Sequence, residues 1–231
     1  RLPREGALPV PEAVELLREI ADGLAYAHDQ GVVHRDIKPD NVLLSGRHAL
    51  LADLGIAKAV SDTSDRGKLT TAGVVVGTPE YMAPEQAAAD PQVDHRADIY
   101  AFGILAYEIL TGRTPFSGRS GHEVLSAHLV ERPRSVSELR PAVSQDLDGL
   151  VMRCLEKSPS DRWQSAEEIA RALGTVARGE ALAEPGIMSS APRGRGSRRR
   201  VTAIAGLVVV ISLVGLWALS TFAPEEAHAR P

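Results

Sequence analysis

The sequence predicts a mainly α (α+β) body containing one small β-hairpin, then a linker and a single transmembrane helix. Three observations carry this. Apolar residues recur at helical spacing through residues 11–30, Asp98–Leu110 is almost wholly apolar, and 22 residues from Val201 to Phe222 carry no charge. The first pattern is an amphipathic helix, the second a helix buried on most sides, and the third is long enough for a membrane.

Taken in order, Arg1–Val10 reads as a loop with two prolines, and Pro11 opens a helix at its first position, where a missing N–H is harmless. Val14, Leu17, Ile20, Ala21, Leu24 and His28 share one face, and Gly31 stops the helix. The apolar runs Val42–Leu44 and Ala49–Leu51, separated by Ser45–His48, form a hairpin. Residues 61–73 are polar and turn-rich, so they form a loop. Helices follow at about 98–110, 121–130, 144–157 and 165–177, the last with Ser165 and Glu168 placed as a capping box. Residues 178–200 are rich in Gly, Pro, Ser and Arg and read as a juxtamembrane linker.

Composition narrows the class. A chain of 231 residues, 44% hydrophobic and 24% charged, is neither wholly disordered nor fibrous. One cysteine, Cys154, excludes a disulfide-stapled scaffold and suits a reducing compartment. Aromatics at 4% offer no base-stacking surface, and the net charge of −8 before residue 193 argues against nucleic acid as a partner. The remaining residues carry +4, concentrated in five arginines from Arg193 to Arg200. As a helix, residues 201–222 would span roughly 33 Å, against a hydrocarbon core of about 30 Å. The arginines on its N-terminal flank then place the body in the cytoplasm and the tail 223–231 outside, a single-pass arrangement in the cell membrane. Those arginines should also attract anionic membrane lipid.

The chemistry is concentrated in His34-Arg35-Asp36-Ile37-Lys38-Pro39-Asp40-Asn41, between the first helix and the hairpin. Asp53-Leu54-Gly55 stands at the far end of the hairpin, and Gly77-Thr78-Pro79-Glu80-Tyr81-Met82-Ala83-Pro84-Glu85 follows. Asp36 and Asn41 on one loop, facing Asp53 across the hairpin, can bring three oxygen donors to one small site, which suits Mg²⁺. Lys38 adds positive charge where a phosphoryl group would carry negative charge. The set suits phosphoryl transfer, in which positioning and charge neutralisation do nearly all the work.

These motifs, in this order, resemble the large C-terminal lobe of protein kinases of the eukaryotic-like (Hanks) type, over about residues 1–177. Lys38-Pro39 after Asp36 is similar to the serine/threonine class, and the single C-terminal span resembles bacterial transmembrane serine/threonine kinases. The resemblance implies ATP and Mg²⁺ as cofactors and proteins bearing Ser or Thr as substrates, this chain included. It implies that Asp36 takes or orients the substrate hydroxyl proton and that Lys38 steadies the γ-phosphate. Asn41 and Asp53 would hold Mg²⁺, Leu43 would floor the adenine pocket, and Thr78 would seat the substrate. Arg35 would meet a phosphothreonine, with Thr70 and Thr71 as candidates. Three residues are structural in this reading: Asp98 ties its helix to the catalytic-loop backbone, and Glu85 pairs with Arg162. His34 is loop scaffold. A homodimer is among the assemblies the resemblance allows.

Three family parts have no counterpart here: the glycine-rich loop, the strand lysine that pairs with the α- and β-phosphates, and the helix glutamate that holds it. Together with the absent initiator Met, this leads us to expect a fragment of a longer protein, inactive without its N-terminal lobe. Leu54 stands where the family usually has Phe, keeping an apolar packing residue. The alternative from another class is a non-catalytic, membrane-tethered, kinase-like binding module.

Overall fold

The computed structural model describes residues 6–46, 48–53 and 79–182. Helix α1 (Val10–Asp29) buries Val14, Leu17, Ile20, Ala21 and Leu24 along one side. Pro11 occupies its second position rather than the first, with Pro9 as the N-cap. The first four N–H groups of any helix lack an acceptor, so proline is as harmless there. Gly31, at φ 73°, takes the left-handed conformation that ends the helix, and its N–H donates to the His28 carbonyl.

The hairpin consists of β1 (Val42–Ser45) and β2 (His48–Leu51), antiparallel, with Val42 opposite Leu51 and Ser45 opposite His48. Glu19 of α1 pins it: its carboxylate accepts the Ala49 N–H at 2.7 Å and lies 3.1 Å from His48 Nδ1. The Ala49 bond holds the Glu19 carboxyl below the ordinary carboxylate range.

A single turn, α2 (Pro84–Ala87), leads to α3 (Arg96–Thr111), the axis of the core. It starts two residues before the expected Asp98, because the Asp94 carboxylate accepts the Arg96 N–H at 2.8 Å and closes a turn there. From Ala97 to Leu110 every residue except Glu108 is buried. Gly112, at φ 79°, caps its C-terminus, and a Cβ there would stand 3.2 Å from the Ala7 nitrogen. The Arg140 guanidinium donates to the carbonyls of Leu8 (2.6 Å) and Leu110 (2.9 Å), joining the lead-in to α1 with the end of α3.

Helix α4 (Gly121–Val130) begins with a complete capping box, Ser120 with Glu123. The one-turn helix α5 (Val136–Leu139) is capped from α6 (Gln145–Cys154), whose Asp148 accepts the Val136 and Ser137 N–H groups at 2.7 and 3.2 Å. Helix α6 stops at Cys154, short of the expected 157, where the Leu155 and Glu156 N–H groups donate to the Met152 and Arg153 carbonyls at 3.1 and 3.4 Å, one residue closer than an α-helix requires; the Glu156 and Lys157 carbonyls beyond accept from Arg162. In α7 (Ala166–Ala177) the Ser165 hydroxyl accepts the Glu168 N–H at 3.2 Å. Glu168 accepts from the Gln164 N–H at 3.0 Å, one residue earlier than a strict capping box would have it. Helix α7 packs along α1, and α6 against α3, where Gly103 lets Cys154 approach; a Cβ at 103 would lie 2.6 Å from the Cys154 Cβ. Among the described residues no helix is long and apolar enough to cross a membrane. Residues 183–200 of the expected linker, the segment 201–222 and the tail 223–231 lie outside the described residues, as does the loop 61–73.

Candidate active site

The site occupies the loop from Val32 to Asn41, between α1 and β1. Its backbone is hung on one carboxylate. Asp98, fully buried in the first turn of α3, accepts the His34 N–H at 2.7 Å and the Arg35 N–H at 2.6 Å, and His28 Nε2 of α1 at 2.9 Å. Arg35 stands at φ 62°, a left-handed conformation that costs a non-glycine residue about 1–3 kcal/mol. A hydrogen bond to a charged group contributes about 1.5–3 kcal/mol, so the Asp98 bonds offset that cost. Gln86 of α2 adds a weaker tie at 3.5 Å to the Arg35 carbonyl, while its Oε1 accepts the Ala83 N–H at 3.0 Å.

Asp36 is held from two sides. Lys38 Nζ donates to its Oδ2 at 2.8 Å, and Asn41 Nδ2 donates to the same oxygen at 3.0 Å and to the Asp36 carbonyl at 2.7 Å. Both Asp36 and Lys38 side chains keep some exposure, 26% and 20%, so the charged ends are reachable while their geometry is fixed. The amide of Asn41 is nearly buried and turns its nitrogen toward Asp36, leaving Oδ1, the atom a hard cation takes, directed away from it.

Asp53 stands two residues after the end of β2, and the intervening Ala52 is clamped through both its N–H and its carbonyl. The Ala52 N–H donates to the Asn41 carbonyl at 2.8 Å, and His34 Nε2 donates to the Ala52 carbonyl at 3.0 Å. The hairpin thus closes back on the loop, bringing Asp53 beside Asn41. Asp53 itself is exposed, with φ 57°. A carboxylate and an amide oxygen together fit Mg²⁺, which takes few protein ligands and keeps water or phosphate in its remaining positions. Leu43, on the neighbouring strand, is 38% exposed.

A buried ion pair underlies α2. Arg162 Nη1 and Nη2 donate to the two Glu85 oxygens at 2.7 and 2.8 Å. The remaining N–H groups go to the carbonyls of Arg96, Glu156 and Lys157 at 2.8–2.9 Å. Arg162 is fully buried and stacks over the Tyr100 ring at 4.9 Å. Nearby, the Tyr81 hydroxyl donates to Glu108, and burial together with that carboxylate pushes the phenol well above its ordinary pKa.

The structure therefore gathers Arg35, Asp36, Lys38, Asn41 and Asp53 into one loop-and-hairpin unit, with Asp98 behind it and Glu85–Arg162 beside it. Leu54, Thr70, Thr71 and Thr78 lie outside the described residues. Sequence reasoning passed over Gln86, the Tyr81–Glu108 pair and His128 of α4. His128 had a legible signal: it follows Val124 and Ala127 at helical spacing, which puts it on the buried face.

A loop in which one Asp is bridged by Lys and Asn, hung from a buried Asp and followed across a hairpin by a second Asp, defines a class of phosphoryl-transfer lobe. The family model for the protein kinase domain matches residues 1–172, and the chain belongs to that family. Among similar proteins, the serine/threonine-protein kinase pkn2 of Myxococcus xanthus is 43% identical over 188 residues, covering 79% of this chain and 22% of the relative. The serine/threonine-protein kinase PknB of Mycobacterium leprae is 37% identical over 190 residues, covering 82% and 30%. The serine/threonine-protein kinase pkn3 of Myxococcus xanthus is 39% identical over 199 residues, covering 83% and 35%. The chain thus spans about a fifth to a third of the length of these curated relatives.

Proposed function

We propose that this lobe serves a membrane-anchored bacterial serine/threonine protein kinase, which transfers the γ-phosphoryl group of ATP to Ser or Thr of proteins, itself included. The observation that carries the reading is the Asp36 carboxylate fixed between Lys38 and Asn41 beside an exposed edge. Asp36 orients the acceptor hydroxyl and takes its proton as the hydroxyl oxygen bonds to the γ-phosphorus; the bond from that phosphorus to the β–γ bridging oxygen breaks, and ADP leaves. Lys38 neutralises charge on the transferred group. Asn41 and Asp53 hold Mg²⁺, which when bound neutralises phosphate charge. The reading takes the glycine-rich loop and strand lysine from sequence upstream of residue 1, consistent with the small share of the relatives that this chain spans. In the same reading Arg35 meets a phosphate on Thr70 or Thr71, and residues 201–222 anchor the lobe on the cytoplasmic face of the membrane.

The test is Asp36→Asn in the natural full-length polypeptide, with radiolabelled ATP and Mg²⁺. Autophosphorylation should vanish while the melting temperature stays near wild type. Labelling at the wild-type rate would remove Asp36 from the reaction. A wild-type protein that labels nothing would leave the binding-module alternative standing.

A further inference from the structure

Beneath the segment that ends in Ala83-Pro84-Glu85 lies a chain of polar side chains that none of the roles above uses. His128 of α4 is fully buried. Its Nε2 lies 3.1 Å from the Glu80 carbonyl oxygen, and its Nδ1 lies 2.9 Å from the Tyr100 hydroxyl of α3. Lys157, just after α6, donates to that hydroxyl at 3.2 Å and to the Ala127 carbonyl at 3.4 Å. The imidazole is boxed by the Phe116 and Tyr100 rings, edge-on at 5.1 and 5.6 Å.

Every proton in this chain has an assigned place. A carbonyl oxygen only accepts, so Nε2 carries the hydrogen. Burial and the Lys157 cation push the His128 pKa down to about 4, so the ring is neutral and Nδ1 is a bare acceptor. The Tyr100 O–H must then donate to Nδ1, and its oxygen accepts from Lys157. The charged and titratable groups around the ring agree with this polarity. Lys157 and Arg162 are cations facing Tyr100, while Glu80 offers its backbone and not its carboxylate. The outcome is a single fixed tautomer, aimed at the Glu80 carbonyl with the Pro79 carbonyl also in reach, both in the Pro79–Tyr81 turn.

We infer that His128 is a positioning residue for the protein substrate: through the Glu80 carbonyl it fixes the Pro79–Tyr81 turn, which in the chain immediately follows Thr78, the substrate-seat residue of the kinase reading. The inference rests on the kinase reading. The turn has a second anchor in the Tyr81–Glu108 bond to α3, so α3 and α4 hold it jointly. Loss of the His128 bond loosens the Pro79–Tyr81 turn without touching Asp36, Lys38, Asn41 or Asp53, and its effect falls on substrate binding and not on the phosphoryl step.

The test compares His128→Asn with His128→Gln in the natural full-length polypeptide, measuring kcat and KM for a Ser/Thr peptide and KM for ATP. The Gln amide reaches the place of Nε2 and can still donate to Glu80, whereas the Asn amide reaches only the place of Nδ1. His128→Asn should raise peptide KM about 3- to 10-fold with ATP KM nearly unchanged, the scale of one lost hydrogen bond. His128→Gln should restore most of that loss. Equal effects in both variants, no effect in either, or a loss confined to kcat and melting temperature would overturn the inference, as would failure of both to fold. If wild type phosphorylates the peptide and Asp36→Asn does not, such a result strikes the positioning role alone. A wild type that phosphorylates nothing overturns the kinase reading and this inference with it.

Discussion

Arg162→Met removes a fully buried guanidinium that satisfies four groups at once: the Glu85 carboxylate and the carbonyls of Arg96, Glu156 and Lys157. Stripping a buried carboxylate of its partner costs about 3–5 kcal/mol. The orphaned carbonyls add about 1–3 kcal/mol for each that water cannot reach. A total of at least about 4 kcal/mol lowers the melting temperature of a domain this size by about 8–16 °C. The double variant Glu85→Met/Arg162→Met separates the two contributions. It removes the stranded carboxylate but not the stranded carbonyls, so it should recover the larger share and still melt below wild type. Calorimetric melting of wild type, the single and the double variant reads all three. A single variant that melts within a degree or two of wild type would refute the reasoning. A double variant no better than the single would show that the carboxylate is not the main cost.

Other perturbations report on other elements. Asp98→Asn replaces one acceptor oxygen with a donor facing N–H groups, so it should cost about 2–4 kcal/mol and cut kcat as Arg35 relaxes from its left-handed conformation; melting and turnover check both. The His128 pKa of about 4 lies below the ordinary 6.5, so the unfolded chain takes up that proton first on acidification. The stability of the neutral ring is whole above 6.5 and drains away as pH falls to about 4; His128→Gln should flatten that part of the stability–pH profile, measured by urea unfolding. Gly103→Ala drives a methyl to 2.6 Å from the Cys154 Cβ and should cost about 1–3 kcal/mol in the same assay.

Much of this was legible in the sequence where a long period repeats. Helix α1 shows its apolar face over five turns, and α3 is so uniformly apolar that burial on most sides follows. The Asp36-Lys38-Asn41 loop was legible because its residues are close in the chain and the hairpin brings Asp53 back. The one-turn helices α2 and α5 were not, since four residues cannot display a 3.6-residue period. Helix α5 depends on Asp148, which lies twelve residues from Val136. The early start of α3 depends on a side chain, Asp94, that looks like any loop aspartate. Gln86 and His128 act through backbone carbonyls 51 and 48 residues away in the chain, and no spacing rule links a side chain to a distant carbonyl. The end of α6 differs from the expected 157 because the Leu155 and Glu156 N–H groups close tighter turns on Met152 and Arg153, a switch in hydrogen-bond pattern that side-chain periodicity does not display.

The Arg140 bridge has a consequence for how the chain is made. Its guanidinium reaches back across 132 residues to the Leu8 carbonyl. At a ribosomal pace of about 5–20 residues per second, α1 emerges roughly 7–26 s before the residue that fastens its lead-in. Helix α7, which covers the apolar stripe of α1, arrives later still. β2 and α3, which also pack on α1, emerge within that interval, so the apolar stripe of α1 is covered in stages and its α7 side stays open to the end. Among the described residues, packing is complete only when α7 closes over α1.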